Sequence, residues 1–176
     1  MIVLVAPAAP FDAHEQAALH AFVEHGGWLL ASVGYEERAG LADLLAHFGM
    51  AIEGTPLGGA GSTTVDGDSL TFKKAWPVRA AGATVLAGGR DSPLVVRRAV
   101  GRGAVVVIGD PALLLNANLE HEEHAHEQTV AFLRWLFEHH LPPGAATVAG
   151  SGADHPGGAR ADRRVSTTRA TDRSSP

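Results

Sequence analysis

The feature that most constrains this chain is a set of short aliphatic runs, Ile2–Val5, Trp28–Val33 and Ala104–Ile108, in which apolar and polar residues do not alternate. A strand with one face in water alternates; a strand covered on both faces does not. Each run therefore predicts a strand buried on both faces, the pattern of a parallel sheet flanked by helices.

Helical segments separate the runs. Asp12 is a candidate N-cap with Glu15 three residues on, the spacing of a capping box. Leu19, Phe22 and Val23 form the apolar stripe of that helix, and Gly26-Gly27 ends it. Leu41, Leu44, Leu45 and Phe48 recur at helical spacing and predict a second helix stopped by Gly49. Residues 54–68 are rich in Gly, Ser, Thr and Asp and read as loop with at most one short strand; Leu70–Lys73 reads as another. Thr84–Ala87, Leu94–Val100 and Ala104–Ile108 read as three strands. Their short glycine-bearing links, Gly88-Gly89-Arg90-Asp91 and Gly101-Arg102-Gly103, predict antiparallel hairpins. A last helix is expected from about Glu122 to His140, with Val130, Leu133, Leu136 and Phe137 inward and Trp135 partly so. This order predicts an α/β fold: a three-layer sandwich with a mixed, mainly parallel sheet and a late antiparallel hairpin.

The domain is expected to span residues 1–141. From Pro142 onward the 35 residues contain no Leu, Ile, Met, Phe, Trp or Tyr, and only Val148 and Val165 are apolar and larger than alanine. Such a segment buries too little surface to offset its ordering entropy, so residues 142–176 are expected to be a disordered Gly/Ala/Arg-rich tail. The whole chain carries a formal charge of −5, which argues against a nucleic-acid partner. It has no cysteine, which excludes disulfides, thiolate metal sites and cysteine nucleophiles. No apolar run approaches the roughly 20 residues of a membrane helix, and no leader pattern opens the chain. The expectation is a cytoplasmic chain without membrane insertion.

Four segments together resemble class I glutamine amidotransferase-like domains that have lost catalysis. They are VAPAAPFDAHEQAALHAFVEHGGWLLASVG (residues 5–34), LADLLAHFGM (41–50), ATVLAGGRDSPLVVRRAVGRGAVVVIGDP (83–111) and LLNANLEHEEHAHEQTVAFLRWLF (114–137). The resemblance is to auxiliary domains of gliding-motility ABC-transporter proteins, intraflagellar-transport proteins and related bacterial domains of unknown function, over about residues 1–140. It implies a flavodoxin-like or amidotransferase-like sandwich. It also implies a non-catalytic binding module, accessory to a membrane transport or envelope system. Domains of this kind begin with a further strand and helix before the strand at Ile2, so the resemblance implies an N-terminally truncated version, a mis-called start or a minimal form. A missing edge unit would leave apolar surface for a protein partner or for oligomerisation. The cysteine nucleophile of the family's enzymes is absent, and no Gly-x-Ser-x-Gly elbow replaces it.

Ligands of open α/β sheets bind beyond the carboxyl ends of the parallel strands. The expected strand ends are Ala6-Pro7, Val33-Gly34-Tyr35 and Gly109-Asp110-Pro111, with Glu36, Glu37, Asn116, Asn118, Glu120 and His121 near them. Gly34, Tyr35, Glu36, Asp110, Asn116 and Asn118 are the candidate residues for a small polar ligand. The plainer reading of Asp110 is a carboxylate accepting amides of residues 112–118 to shape its turn, and the asparagines share that reading. His121 and His124 stand at i and i+3, a spacing that could hold a divalent metal with Asp110 as third ligand. A metal-dependent hydrolase or metal-binding domain is thus the alternative, against which stands a solvated, acidic first helical turn. No other cofactor is implied. Gly58–Thr63 lacks the lysine of a phosphate loop and reads as flexible. Strand alternation should place Arg97 and Arg98 on opposite faces. Trp76, before Pro77, is a candidate exposed aromatic.

Overall fold

The computed structural model describes residues 1–64, 66, 67, 69–89, 91–115, 119 and 124–140; the side chains of residues 63 and 124–126 also fall outside it. The expected tail, residues 142–176, lies outside the described residues. Nine strands are described: β1 (Ile2–Val5), β2 (Trp28–Ser32), β3 (Met50–Ile52), β4 (Gly58–Thr63), β5 (Ser69–Ala75), β6 (Val78–Ala80), β7 (Thr84–Gly88), β8 (Pro93–Val100) and β9 (Gly103–Ile108). The helices are α1 (Ala13–Glu24), α2 (Ala42–His47) and α3 (His124–His140), with a 3-10 turn at Glu37–Gly40.

Five strands form the main sheet in the order β1-β2-β9-β8-β7. The pairings β1–β2 and β2–β9 are parallel, while β9–β8 and β8–β7 are antiparallel. Only β8 therefore runs against the rest, and the sheet is mixed and mainly parallel as the sequence implies. Leu29, Ala31, Val105 and Val107 face one side, where Val23 of α1 and Leu44, Leu45 and Phe48 around α2 cover them. Trp28, Leu30, Ala104, Val106 and Ile108 face the other, against Phe132, Trp135 and Leu136 of α3 and Leu70 and Phe72 of β5. This is the three-layer sandwich. β2 and β9 are buried along their whole length because both faces are covered.

Local chemistry sets the ends of α1. The Asp12 carboxylate accepts the amides of His14 and Glu15 at 2.8 Å, and Glu15 accepts the Asp12 amide at 2.9 Å. This reciprocal pair satisfies donors that the first turn leaves without helical partners. Gly26 takes φ +108° beyond the helix end, a region that side chains avoid.

Three expectations need correction. β1 is not buried on both faces. Ile2 and Leu4 pack towards α1, but Val3 is 45% and Val5 36% exposed, because β1 is an edge strand that none of the described helices covers on that face. Residues 58–63 are not a flexible loop. They form β4, antiparallel to β5 from Gly58↔Ala75 to Thr63↔Ser69. The short β3–β6 pair, Met50↔Ala80 to Ile52↔Val78, is a further element that residue pattern alone does not show. The inward face of α3 is also rotated slightly: Thr129, Phe132, Trp135 and Leu136 are its buried residues, with Val130, Leu133 and Phe137 flanking. Arg97 and Arg98 do part as expected. Arg97 lies over the Trp28 ring, and Arg98 donates to the Gly49 carbonyl at 3.2 Å. Among the described residues no helix is long and apolar enough to cross a membrane.

His140 closes α3 beside Trp135, with ring centroids 4.5 Å apart. Burial holds its pKa below the usual 6.5, helped by Arg97 and His139 and opposed by Asp66. Between 6.5 and the lowered folded value, the unfolded chain binds a proton there that the folded chain does not. Stability should therefore fall as pH drops through that window. Denaturant midpoints at pH 7.5 and 5.5 should differ less in His140→Gln than in the native chain; an unchanged difference would assign the loss to other groups.

Candidate functional site

The carboxyl ends of β1, β2 and β9 lie side by side, and a roof from outside the main sheet closes over them. That roof is the end of β5, and main-chain bonds fix it. The Trp76 amide donates to the Gly109 carbonyl at 2.7 Å, and the Gly109 amide donates to Leu94 at 2.8 Å. Gly109 has no room for a side chain: an added Cβ would stand 1.9 Å from the Trp76 carbonyl oxygen. Asp110 completes the junction. Its Oδ2 accepts the amides of Lys73 and Lys74 at 2.7 and 2.9 Å, and its Oδ1 accepts the Ala112 amide at 2.8 Å. The Ser32 hydroxyl donates to its carbonyl, tying β2 to the same residue. Asp110 is fully buried. A buried carboxylate is tolerated where hydrogen bonds replace lost water, and three amides do so here.

Beneath this roof is a cleft of about 140 Å³. It is lined by Glu36, Glu37, Pro56, Gly58, Lys73, Lys74, Trp76 and Pro111. Gly34 lies behind two of these residues, Glu37 and Pro111. A Cβ there would lie 2.9 Å from Glu37 Oε2 and 3.0 Å from the Pro111 ring, so glycine makes space for both. Glu37 Oε2 is buried and has no hydrogen-bond partner. Tyr35 stacks on Trp76, with centroids 5.2 Å apart and planes 18° from parallel. The Arg38 guanidinium lies 3.3 Å from the Tyr35 ring centroid, a cation–π contact. The stack holds Trp76 as part of the cleft wall. At the end of β1, Ala6 has left-handed backbone (φ +41°), alone among the described non-glycine residues.

The structure thus brings Gly34, Tyr35, Glu36 and Asp110 to one end of the sheet. Glu36 lines the cleft, Gly34 lies behind Glu37 and Pro111, and Tyr35 supports its aromatic wall. Asp110 lies behind the wall with its oxygens directed to main-chain amides, the loop-shaping role, extended to β5. Asn116, Asn118 and His121 lie outside the described residues, as does the side chain of His124. Among the described residues no group of three or more His, Cys, Asp or Glu is placed to hold a metal ion. Sequence reasoning did not select Glu37, Lys73, Lys74 or Trp76 as a set. The signal for the last three was the break in alternation after Leu70 and Phe72, at the adjacent pair Lys73-Lys74.

These features define a three-layer α/β domain with a cleft at the carboxyl ends of its parallel strands. The chain belongs to the DUF4350 family, a domain of unknown function, whose profile matches residues 1–126. No curated protein matches it. Among solved structures it is similar to the N-terminal domain of IFT52, at 13% identity over 76% of this chain and 74% of that one, with a TM-score of 0.58. The exo-β-1,4-mannosidase Op5Man5 from Opitutaceae bacterium strain TAV5 matches at 22% identity over 75% of this chain, with a TM-score of 0.54. This chain spans only 24% of that enzyme's length. A cytoplasmic protein from Salmonella typhimurium matches at 17% identity over 71% of this chain and 61% of that one, with a TM-score of 0.51. At these identities the likeness is one of fold.

Removing the Asp110 carboxylate should orphan three amides. Asp110→Ala is expected to cost about 3–5 kcal/mol in denaturant unfolding, and Asp110→Asn, which keeps one acceptor oxygen, about 1–3 kcal/mol. A cost for alanine below about 1 kcal/mol would show that the junction does not depend on it.

Proposed function

We propose that this chain is a non-catalytic binding module of amidotransferase-like type, whose small polar ligand occupies the cleft between Glu37 and Lys73. One observation carries the reading: a carboxylate oxygen of Glu37 is buried in the cleft wall without a donor. An unsatisfied buried acceptor costs about 1–3 kcal/mol, and more when charged. A ligand N–H or O–H recovers that cost when Glu37 turns its carboxylate into the cleft on binding. The non-catalytic part of the reading is supported by the absence of cysteine from the chain. The described lining adds no hydroxyl or imidazole nucleophile. The accessory role in a membrane transport or envelope system is supported by the sequence resemblance alone. A protein partner along β1 is favoured by the exposed Val3 and Val5 on that edge. The metal alternative rests on His121 and His124, and its third member, Asp110, is committed to three amides.

A thermal melt of the full chain against sugars, nucleotides, amino acids and zinc tests the reading. A ligand of the folded state raises the midpoint, by about 2.7 kcal/mol of stability at a hundredfold excess over its Kd. At least one polar ligand should do so, and Glu37→Gln should reduce the shift. A zinc shift lost in His121→Ala with His124→Ala would favour the metal alternative. No shift from any compound, with a self-associated species in sedimentation, would favour the β1 edge.

A further inference from the structure

The cleft carries charge of both signs on its wall. Glu36 and Glu37 contribute two carboxylates, and Lys73 and Lys74 two ammonium groups. Yet none of these four forms an ion pair with another. The charges share a space of about 140 Å³ without meeting. The lysine main chain is anchored through Asp110, and Glu37 is seated on Gly34. The backbone that carries the two lysines is thus fixed beside the cleft, while their exposed side chains are free to turn towards a ligand.

We infer that the cleft binds a small zwitterion: a short amino acid whose primary ammonium meets Glu37 and whose carboxylate meets Lys73 and Lys74. The inference rests on the cleft being a ligand site, as proposed above. A simple cation would satisfy Glu37 but face the two lysines. A simple anion would satisfy the lysines but face Glu36 and Glu37. A neutral polyol would donate to Glu37 and leave the lysines to water. Only a ligand of both signs answers every charge in the wall. Size restricts it further. Pockets for drug-sized ligands begin at about 300 Å³, and this cleft is less than half that, so a nucleotide or disaccharide does not fit inside it. Trp76, held by Tyr35, supplies an apolar face for the methylene carbons and a π-face for the ammonium.

The test is a titration of the full chain with glycine, β-alanine and 4-aminobutanoate, which differ in charge separation, read by thermal shift and tryptophan fluorescence. Controls are propylamine, butanoate, erythritol and glycine betaine, a zwitterion without an N–H donor. One amino acid should act at a concentration at least tenfold below every control. Glu37→Gln should weaken it at least tenfold, and so should Lys73→Gln combined with Lys74→Gln, while each variant melts cooperatively without ligand. Equal action by erythritol, propylamine or butanoate would overturn the zwitterion assignment. So would an amino acid indifferent to Glu37→Gln. A sugar or nucleotide that binds in a Glu37-dependent way, with no amino acid doing so, would remove this inference and leave the ligand site standing. No binding by any compound would remove both.

Discussion

The architecture around the cleft depends on one carboxylate. Asp110 follows the most deeply buried strand of the sheet and accepts three main-chain amides, two of them from β5. Through it the end of the parallel sheet holds a hairpin that belongs to another layer. The flanking bonds, Trp76 to Gly109 and Ser32 to Asp110, are shaped by the same turn. Without that junction β4 and β5 would be a two-stranded ribbon held by the packing of Leu70, Phe72 and Ala75, the Thr71–Gln128 bond and the Thr64↔Ala87 bridge. Two-stranded ribbons are marginal in water without such support.

The junction has an electrostatic consequence. It satisfies one acid completely and, in doing so, fixes two lysines beside a second acid that is not satisfied. Asp110 and Glu37 are thus opposites: both have buried oxygens, but only Glu37 lacks a partner. A fold spends its hydrogen-bond donors where structure needs them, and an acceptor left over at a cleft is where a ligand can add binding energy. The Tyr35–Trp76 stack and its Arg38 contact stiffen the same wall, so the site is largely formed before anything enters it.

Much of this was legible in the sequence, and the limits have physical causes. Runs such as Val105–Ile108 announce a doubly covered strand because burial on both faces removes alternation. Asp12 and Glu15 announce a helix start because capping is a local interaction. Gly34, Glu36 and Asp110 could be placed at the strand ends from order alone. β4 could not be read, because Gly58 to Thr63 has almost no side-chain signal and is a strand only through pairing with β5. The exposure of Val3 and Val5 was hidden for a related reason: an aliphatic edge strand has the same composition as a central one, and only its neighbours decide. Lys73, Lys74 and Trp76 join the site through main-chain contacts to Gly109 and Asp110, more than thirty residues away. No periodicity encodes such a contact.

Amide hydrogen exchange tests the Asp110 junction most directly. Lys73 and Lys74 have exposed side chains on a peripheral hairpin, yet their amides donate to a buried carboxylate. They should exchange as slowly as amides of β9, within about tenfold, and lose that protection in Asp110→Ala. Exchange at the rate of exposed loop amides in the native chain would contradict the account, since the roof of the cleft would then not be held by Asp110.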